Sequence, residues 1–292
     1  MDENSTFNAA WELIWELKFQ FLAKPETEKG RYVKYIMPFI GDVALRDITP
    51  FMLEKWKVQL QKSDLSPYSV IQVVGLVRRV FNSLIDWELF DKRNPASRIK
   101  LRRPDNKRYR FLEEKEANSL LRELKEHSLQ TWQIALLSLS TGTRAGEVLS
   151  LTGNRIDLPN KLIRIVDSKT EKNRIIYLPK VAEQMLRDME LKKNLPIFRG
   201  KNGLAIKRVS RTFPRVVEML GLNDGVTDPR EKVVFHTLRH TFASWLVQND
   251  VSLHVVGELL GHSTLEMTRR YAHLDKEIRT SSIIALDAYI DA

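Results

Sequence analysis

Residues 161–179, KLIRIVDSKTEKNRIIYLP, interrupt a chain that otherwise reads as helix. Two β-rich runs, Leu162 to Val166 and Ile175 to Leu178, flank the polar segment DSKTEKN, which predicts an antiparallel hairpin with Lys169 near its tip. On both sides the apolar residues return to helical spacing. EEKEANSLLRELKE and TWQIALLSLS precede the hairpin, and RVSRTFPRVVEML, FHTLRHTFASWLVQ and SLHVVGELLG follow it. Residues 111–292 are therefore expected to form a mostly helical domain with one small sheet.

The region before it is helical as well. In SPYSVIQVVGLVRRVFNSLIDWELF, Ser66 is placed to cap a helix with Pro67 at its first position, and Val70, Val73, Val74, Val77, Phe81, Leu84 and Ile85 form one apolar face. Thr49 and Pro50 repeat the device. Four helices are expected, over Ser5 to Ala23, Glu26 to Phe39, Thr49 to Lys62 and Ser66 to Phe90, giving a helical domain at residues 1–97. Between the two domains lies RIKLRRPDNKRYR, residues 98–110, with seven Lys or Arg against the single Asp105. This run carries +6 of the chain's +10, leaving +4 for the other 279 residues. Such a run can be a solvated tether. The reading favoured here is that Arg98, Lys100, Arg102, Arg103, Lys107, Arg108 and Arg110 neutralise phosphates of a polyanion, with affinity that falls as salt rises.

Composition removes several classes. A chain of 292 residues with 43% hydrophobic and 29% charged residues is ordinary for a globular protein of two domains. No basic region is followed by an apolar stretch and cleavage site, and no run of eighteen uncharged apolar residues occurs, so secretion and membrane spanning are not expected. The absence of cysteine excludes disulfides, thiol nucleophiles and cysteine zinc sites. A cytoplasmic location, associated with the nucleoid, is expected.

Three motifs carry chemistry. In STGTRAGEVLSL, Arg144 stands at a helix start with Glu147 three residues on, which taken alone reads as an ion pair. In FHTLRH, His236, Arg239 and His240 share one helical face. Two imidazoles at this spacing invite a metal, but the pair encloses no glutamate, no third ligand follows, and an arginine between them repels a dication and favours an anion. No metal or other cofactor is expected. In LLGHSTLEMTRRYAHL, Ser263 and Glu266 read as a capping box, Thr268 as the cap of the next turn, and Tyr271 as a lone tyrosine that alone would pass for core.

TGTRAGEVLSL, SKTEKNRIIYLP, HTLRHTFASWL and LLGHSTLEMTRRYAHL, in this order, resemble the catalytic domain of the tyrosine recombinases, the phage-integrase family. The helical region before them resembles that family's core-binding domain. The resemblance implies a C-shaped clamp around duplex DNA, made of a helical core-binding domain and an α+β catalytic domain. It implies a site of Arg144, Lys169, His236, Arg239, His262 and Tyr271, and attack by Tyr271 on a phosphodiester to leave a 3′-phosphotyrosine. It also implies four subunits on paired sites, with the stripe Ile283, Leu286 and Ile290 exchanged between protomers, and accessory DNA-bending proteins as further partners.

Chemistry supports these roles. A phenol of pKa about 10 needs a base or nearby cations to become a nucleophile. His236 is the candidate base. Arg144 and Arg239 can clamp the transition-state oxygens with His262 as a further donor, and Lys169, or less favourably Lys172, can protonate the departing 5′-oxygen. Glu147 orients Arg144, and His240 is a structural hydrogen-bonder. Arg269 and Arg270 are phosphate contacts or solvated. Asn249 supplies a left-handed turn where the family commonly has glycine. Relaxation of supercoils in the manner of a type IB topoisomerase and a catalytically silent DNA-binding regulator are the competing functions.

Overall fold

The computed structural model describes residues 4–102, 104–105, 108–166 and 173–275. The chain separates into two compact units, Met1–Asp105 and Asn106–Ala292.

In the first unit, α1 (Phe7–Leu17), α2 (Pro25–Arg31), α3 (Met37–Ile40), α4 (Pro50–Lys62) and α5 (Pro67–Asp86) enclose one apolar core. The expected caps are present: the Met52 amide donates to Thr49 Oγ1 at 3.2 Å and the Ser69 amide to Ser66 Oγ at 3.2 Å. α5 buries Val70, Val73, Val74, Val77, Phe81 and Leu84, the face its spacing foretold. Three helices are shorter than their periodicity suggested. α1 stops at Leu17, where Lys18 turns out of helical geometry and its Nζ donates to Ser83 Oγ at 2.9 Å. The span 26–39 passes from α2 through a π turn, Tyr32–Ile36, into α3, with Pro38 lacking the N–H that a continuous α-helix would use. α5 ends at Asp86 because Glu88 takes φ +58, and Phe90 is buried only after this reversal. The beginning of the basic run belongs to this core: Ile99 is buried, and Arg78 donates to the carbonyls of Ala96 and Ile99 at 3.1 Å.

The second unit begins by docking on its own interior. The Leu112 amide donates to Thr241 Oγ1 at 2.9 Å, and Trp245 Nε1 donates to the Leu112 carbonyl at 3.1 Å. α6 (Glu114–His127) and α7 (Leu129–Thr141) then form a hairpin, followed by the short α8 (Ala145–Leu149). The sheet is antiparallel in the order β1 (Ile156–Asp157), β2 (Leu162–Val166), β3 (Asn173–Tyr177). Its two-residue first strand was too short to show in the sequence pattern. α9 (Lys180–Arg187), α10 (Thr212–Met219), α11 (Phe235–Gln248) and α12 (Leu253–Leu260) complete the described helices. After α11 the left-handed residue is Asp250, φ +62, while Asn249 keeps a negative φ, so the turn expected at Asn249 closes one position later. The Ile283, Leu286 and Ile290 stripe lies outside the described residues.

Gly142 closes α7 at φ +66, and a Cβ there would stand 2.5 Å from Phe242 Cδ1 and 2.8 Å from Leu260 Cδ2. Gly142→Ala is expected to destabilise the second unit by roughly 2–5 kcal/mol, combining the left-handed cost with overpacking. Gly75→Ala, mid-helix in α5 with nothing within 4 Å, should stabilise by up to about 1 kcal/mol. Urea denaturation of both variants checks the contrast.

Candidate active site

Arg239, on α11, is only 3% exposed. Its Nη1 donates to the Gly142 carbonyl at 2.6 Å and its Nη2 to the Leu260 carbonyl at 2.7 Å, so the guanidinium rests on the C-terminal ends of α7 and α12. These ends carry partial negative charge, which offsets part of the cost of burying a cation. Burial, then the charge of Arg144, lowers the Arg239 pKa to about 9, and it stays protonated at neutral pH.

Arg144 is the residue preceding α8. Glu147 accepts from its backbone N–H at 2.7 Å and from Nη1 at 2.9 Å, the orienting role foreseen for that carboxylate. A residue missed in the sequence shares the carboxylate. Arg174, on β3, donates from Nη1 to Glu147 Oε1 and from Nη2 to Oε2, each at 2.8 Å. Burial alone would raise the Glu147 carboxyl, but the bonds and charge of Arg174, followed by those of Arg144, bring it down to about 2. The available signal was the β3 alternation, which puts Arg174 on the inward face with Ile176.

His262 follows Gly261, which closes α12 at φ +65, and the His262 amide donates to the Gly257 carbonyl at 2.9 Å. Its Nδ1 lies 2.8 Å from the hydroxyl of fully buried Thr268. The Thr268 hydroxyl thus holds an imidazole, while its carbonyl accepts from the Tyr271 amide at 3.0 Å. The capping box at Ser263 and Glu266 is also not formed: Ser263 Oγ meets the Met267 sulfur, Glu266 pairs with Arg269 at 3.0 Å, and the segment makes 3-10 turns over Leu265–Met267 and Arg269–Asp275. Glu266 and Arg269 are exposed, whereas Arg270 is half-buried and donates from Nε to the Met267 carbonyl at 3.1 Å.

Tyr271 is 4% exposed among Ala243, Val247, Val256 and Leu260. Its hydroxyl lies 2.7 Å from His240 Nδ1, and His236 meets His240 edge to face at 4.7 Å between ring centres. The imidazole on the phenol is therefore His240, with His236 one ring further away and open to solvent. Burial pushes the Tyr271 phenol up to about 12, against the opposing pull of Arg270 and Arg239. Packing of the surrounding chain, then the charges of Arg239 and Arg144, lowers His236 to about 4 and His262 to about 3. Burial, then His236 and the nearby arginines, lowers His240 to about 3. All three imidazoles are neutral at physiological pH.

The structure thus gathers Arg144, His236, Arg239, His262 and Tyr271 around α11 and the ends of α7 and α12. Lys169 and Lys172 lie outside the described residues, as do Arg103 and Lys107. Of the other basic candidates, Arg98, Lys100 and Arg102 are exposed. Arg108 donates to the Lys232 carbonyl at 3.3 Å, and Arg110 is committed to Glu116 through bonds of 2.5 and 3.0 Å. Among the described residues no group of three or more histidine or carboxylate side chains could hold a metal ion. No described helix is long and apolar enough to cross a membrane.

His240 sets a pH dependence. Its folded pKa lies below the ordinary 6.5, so the unfolded chain takes up a proton that the folded chain refuses. Stability is fully present above pH 6.5 and falls as pH drops from there toward about 3, with a slope on the order of 1.4 kcal/mol per pH unit for such a buried group. Denaturation midpoints between pH 7 and 5 should decline, and His240→Gln should flatten that decline; equal slopes would show that His240 takes up its proton as readily folded as unfolded.

The family model described as the phage integrase family matches residues 110–277. The chain is 30% identical to the tyrosine recombinase XerC of Lactobacillus delbrueckii subsp. bulgaricus, over 89% of this chain and 95% of the relative. It is 32% identical to the integrase of Salmonella phage P22 over 65% of this chain, a match that spans only 49% of that integrase. In fold it is similar to residues 82–397 of the Tn1549 transposon integrase in complex with transposon right end DNA, at TM-score 0.75 and 16% identity over 91% of this chain and 94% of that one. It is likewise similar to the XerH site-specific recombinase bound to palindromic difH, at TM-score 0.68 and 21% identity over 94% and 84%. With the catalytic unit matched through nearly its whole described length, the chain belongs to the phage integrase family of tyrosine recombinases, enzymes that break and rejoin DNA.

Proposed function

We propose that this chain cuts and reseals double-stranded DNA at specific sites, with Tyr271 attacking a phosphodiester to form a 3′-phosphotyrosyl link. The observation that carries the reading is that Arg239, bonded to the carbonyls ending α7 and α12, stands with Arg144, His236, His262 and Tyr271 in one cluster, where Arg144 and Arg239 act on both His236 and His262. Their excess positive charge suits a phosphate whose non-bridging oxygens gain charge in the transition state. His262 adds a further donor, its ring held in place through the Nδ1–Thr268 hydroxyl contact. Removing any one such donor costs about 10²- to 10³-fold in rate.

His236 is the proton acceptor for the phenol. Its lowered pKa keeps the ring in the basic form at neutral pH, and its solvent-open position leaves it available to bound DNA. In the free chain Tyr271 instead bonds to His240, so attack requires the phenol to exchange that bond for the phosphate. Lys169, on the hairpin between β2 and β3, delivers the proton to the leaving 5′-oxygen. The phosphotyrosyl bond conserves the energy of the phosphodiester, and a second strand's 5′-hydroxyl reverses it without a nucleotide or metal.

Residues 1–97 form the core-binding domain, residues 98–110 the connection and residues 111–292 the catalytic domain. Arg98, Lys100, Arg102, Arg103, Lys107 and Arg108 contact the DNA backbone. Four protomers assemble on two paired sites, with DNA-bending proteins as accessory partners, on nucleoid DNA in the cytoplasm.

A nicked suicide duplex should trap wild type as a covalent adduct, and Tyr271→Phe should form none; an adduct with Tyr271→Phe overturns the nucleophile assignment. Replacing Arg102, Arg103, Lys107 and Arg108 with Gln should reduce the slope of log K against log salt by about 3 to 4. An unchanged slope would make residues 98–110 a tether only.

A further inference from the structure

Arg174 has a costly position for an ordinary ion pair. Its side chain is 14% exposed, both Nη groups are engaged by Glu147, and its Nε is buried without a hydrogen-bond partner. A buried donor left unmade is destabilising, and an apolar side chain opposite Ile165 would avoid that. Backbone constrains the same side chain. A Cβ on Gly261 would come within 2.8 Å of Arg174 Cδ, 2.9 Å of Nη1 and 3.2 Å of Nε, so the backbone that leads into His262 lies directly against the arginine.

One side chain of β3 therefore touches two separate parts of the site. Through Glu147 it reaches both the backbone N–H and the guanidinium of Arg144, and through Gly261 it supports the turn that presents His262. β3 is also the strand that directly follows the segment containing Lys169.

We infer that Arg174 is a positioning residue for strand cleavage: it fixes Glu147, and thereby Arg144, in the geometry that grips the non-bridging phosphate oxygens, and it braces the His262 turn from behind. The inference rests on the functional reading above. Arg174 touches neither Tyr271 nor the scissile bond, so its loss acts only through the groups that neutralise phosphate charge. A lysine cannot replace it, because one ammonium cannot engage both carboxylate oxygens and fill the same plane.

The test uses the full chain and nicked suicide duplexes recovered by wild-type adduct formation from a library randomised around the nick. Each recovered duplex is made with an ordinary phosphodiester and with a neutral methylphosphonate at the scissile position. Arg174→Gln and Arg174→Lys should slow adduct formation on the phosphodiester by about 10- to 100-fold, less than the loss of a donor that itself grips the phosphate. On the methylphosphonate, where little charge needs neutralising, the defect should shrink to about threefold or less, and Arg144→Ala should show the same pattern. Adding Arg174→Gln to Arg144→Ala should cause a further loss clearly smaller than Arg174→Gln causes alone, because only the support of the His262 turn is left to remove. The ratio of the two rates cancels the fraction of folded protein, so a folding defect cannot imitate the result. Equal losses on both substrates, additive losses in the double variant, or unchanged rates would overturn the inference. Failure of the functional reading looks different: wild type itself would yield no adduct from the library, and the inference would fall with it.

Discussion

The catalytic unit is organised around the burial of one guanidinium. Arg239 lies between the last carbonyls of two helices, and its two Nη groups accept the geometry that those helix ends impose. The carbonyls belong to Gly142 and Leu260, each two residues before a group of the site, Arg144 in one case and His262 in the other. A buried cation without such partners would cost several kcal/mol, so α7 and α12 cannot separate without exposing or stranding it. The constraint that keeps the arginine satisfied is thus also the constraint that holds Arg144 and His262 near one another.

Around that centre the charges do not balance. Arg144, Arg174, Arg239 and Arg270 all contribute to the potential felt by His262, and Glu147 is the carboxylate opposed to them. Burial and this charge together keep the imidazoles neutral, whereas burial keeps the Tyr271 phenol protonated against the same charge. An incoming phosphate supplies the missing negative charge, and the field that raises the cost of a second cation then favours the anion. Under the proposed function, occupancy by a phosphate would compete with the Tyr271–His240 bond that the free chain adopts.

The fold was largely legible because its elements announce themselves locally. Thr49 and Ser66 cap where capping residues precede proline, and the hairpin shows in the change from helical to alternating spacing. Helix ends were less legible, since the reversal at Glu88 needs a left-handed residue that no glycine marks. The site divides in the same way. His236, Arg239, His262 and Tyr271 could be read from their spacing and the family resemblance, but the partner of each could not. Arg174 looked like one more charge on a strand and Thr268 like a cap, while His240 was read as a structural hydrogen-bonder without its partner, Tyr271. Their roles arise from contacts between segments 6 to 31 residues apart, which periodicity does not encode.

The 3-10 character of the segment around Tyr271 has a geometric outcome. With three residues per turn, side chains three apart lie over one another, and Thr268 and Tyr271 have that separation. One ring nitrogen of His262 and one of His240 are thereby engaged from the same edge of a single short coil. A deletion or insertion of one residue between Gly261 and Thr268 would rotate both contacts away together, whereas the chain's exposed loops absorb such changes. The length of this stretch, more than its composition, is what the molecule can least afford to vary.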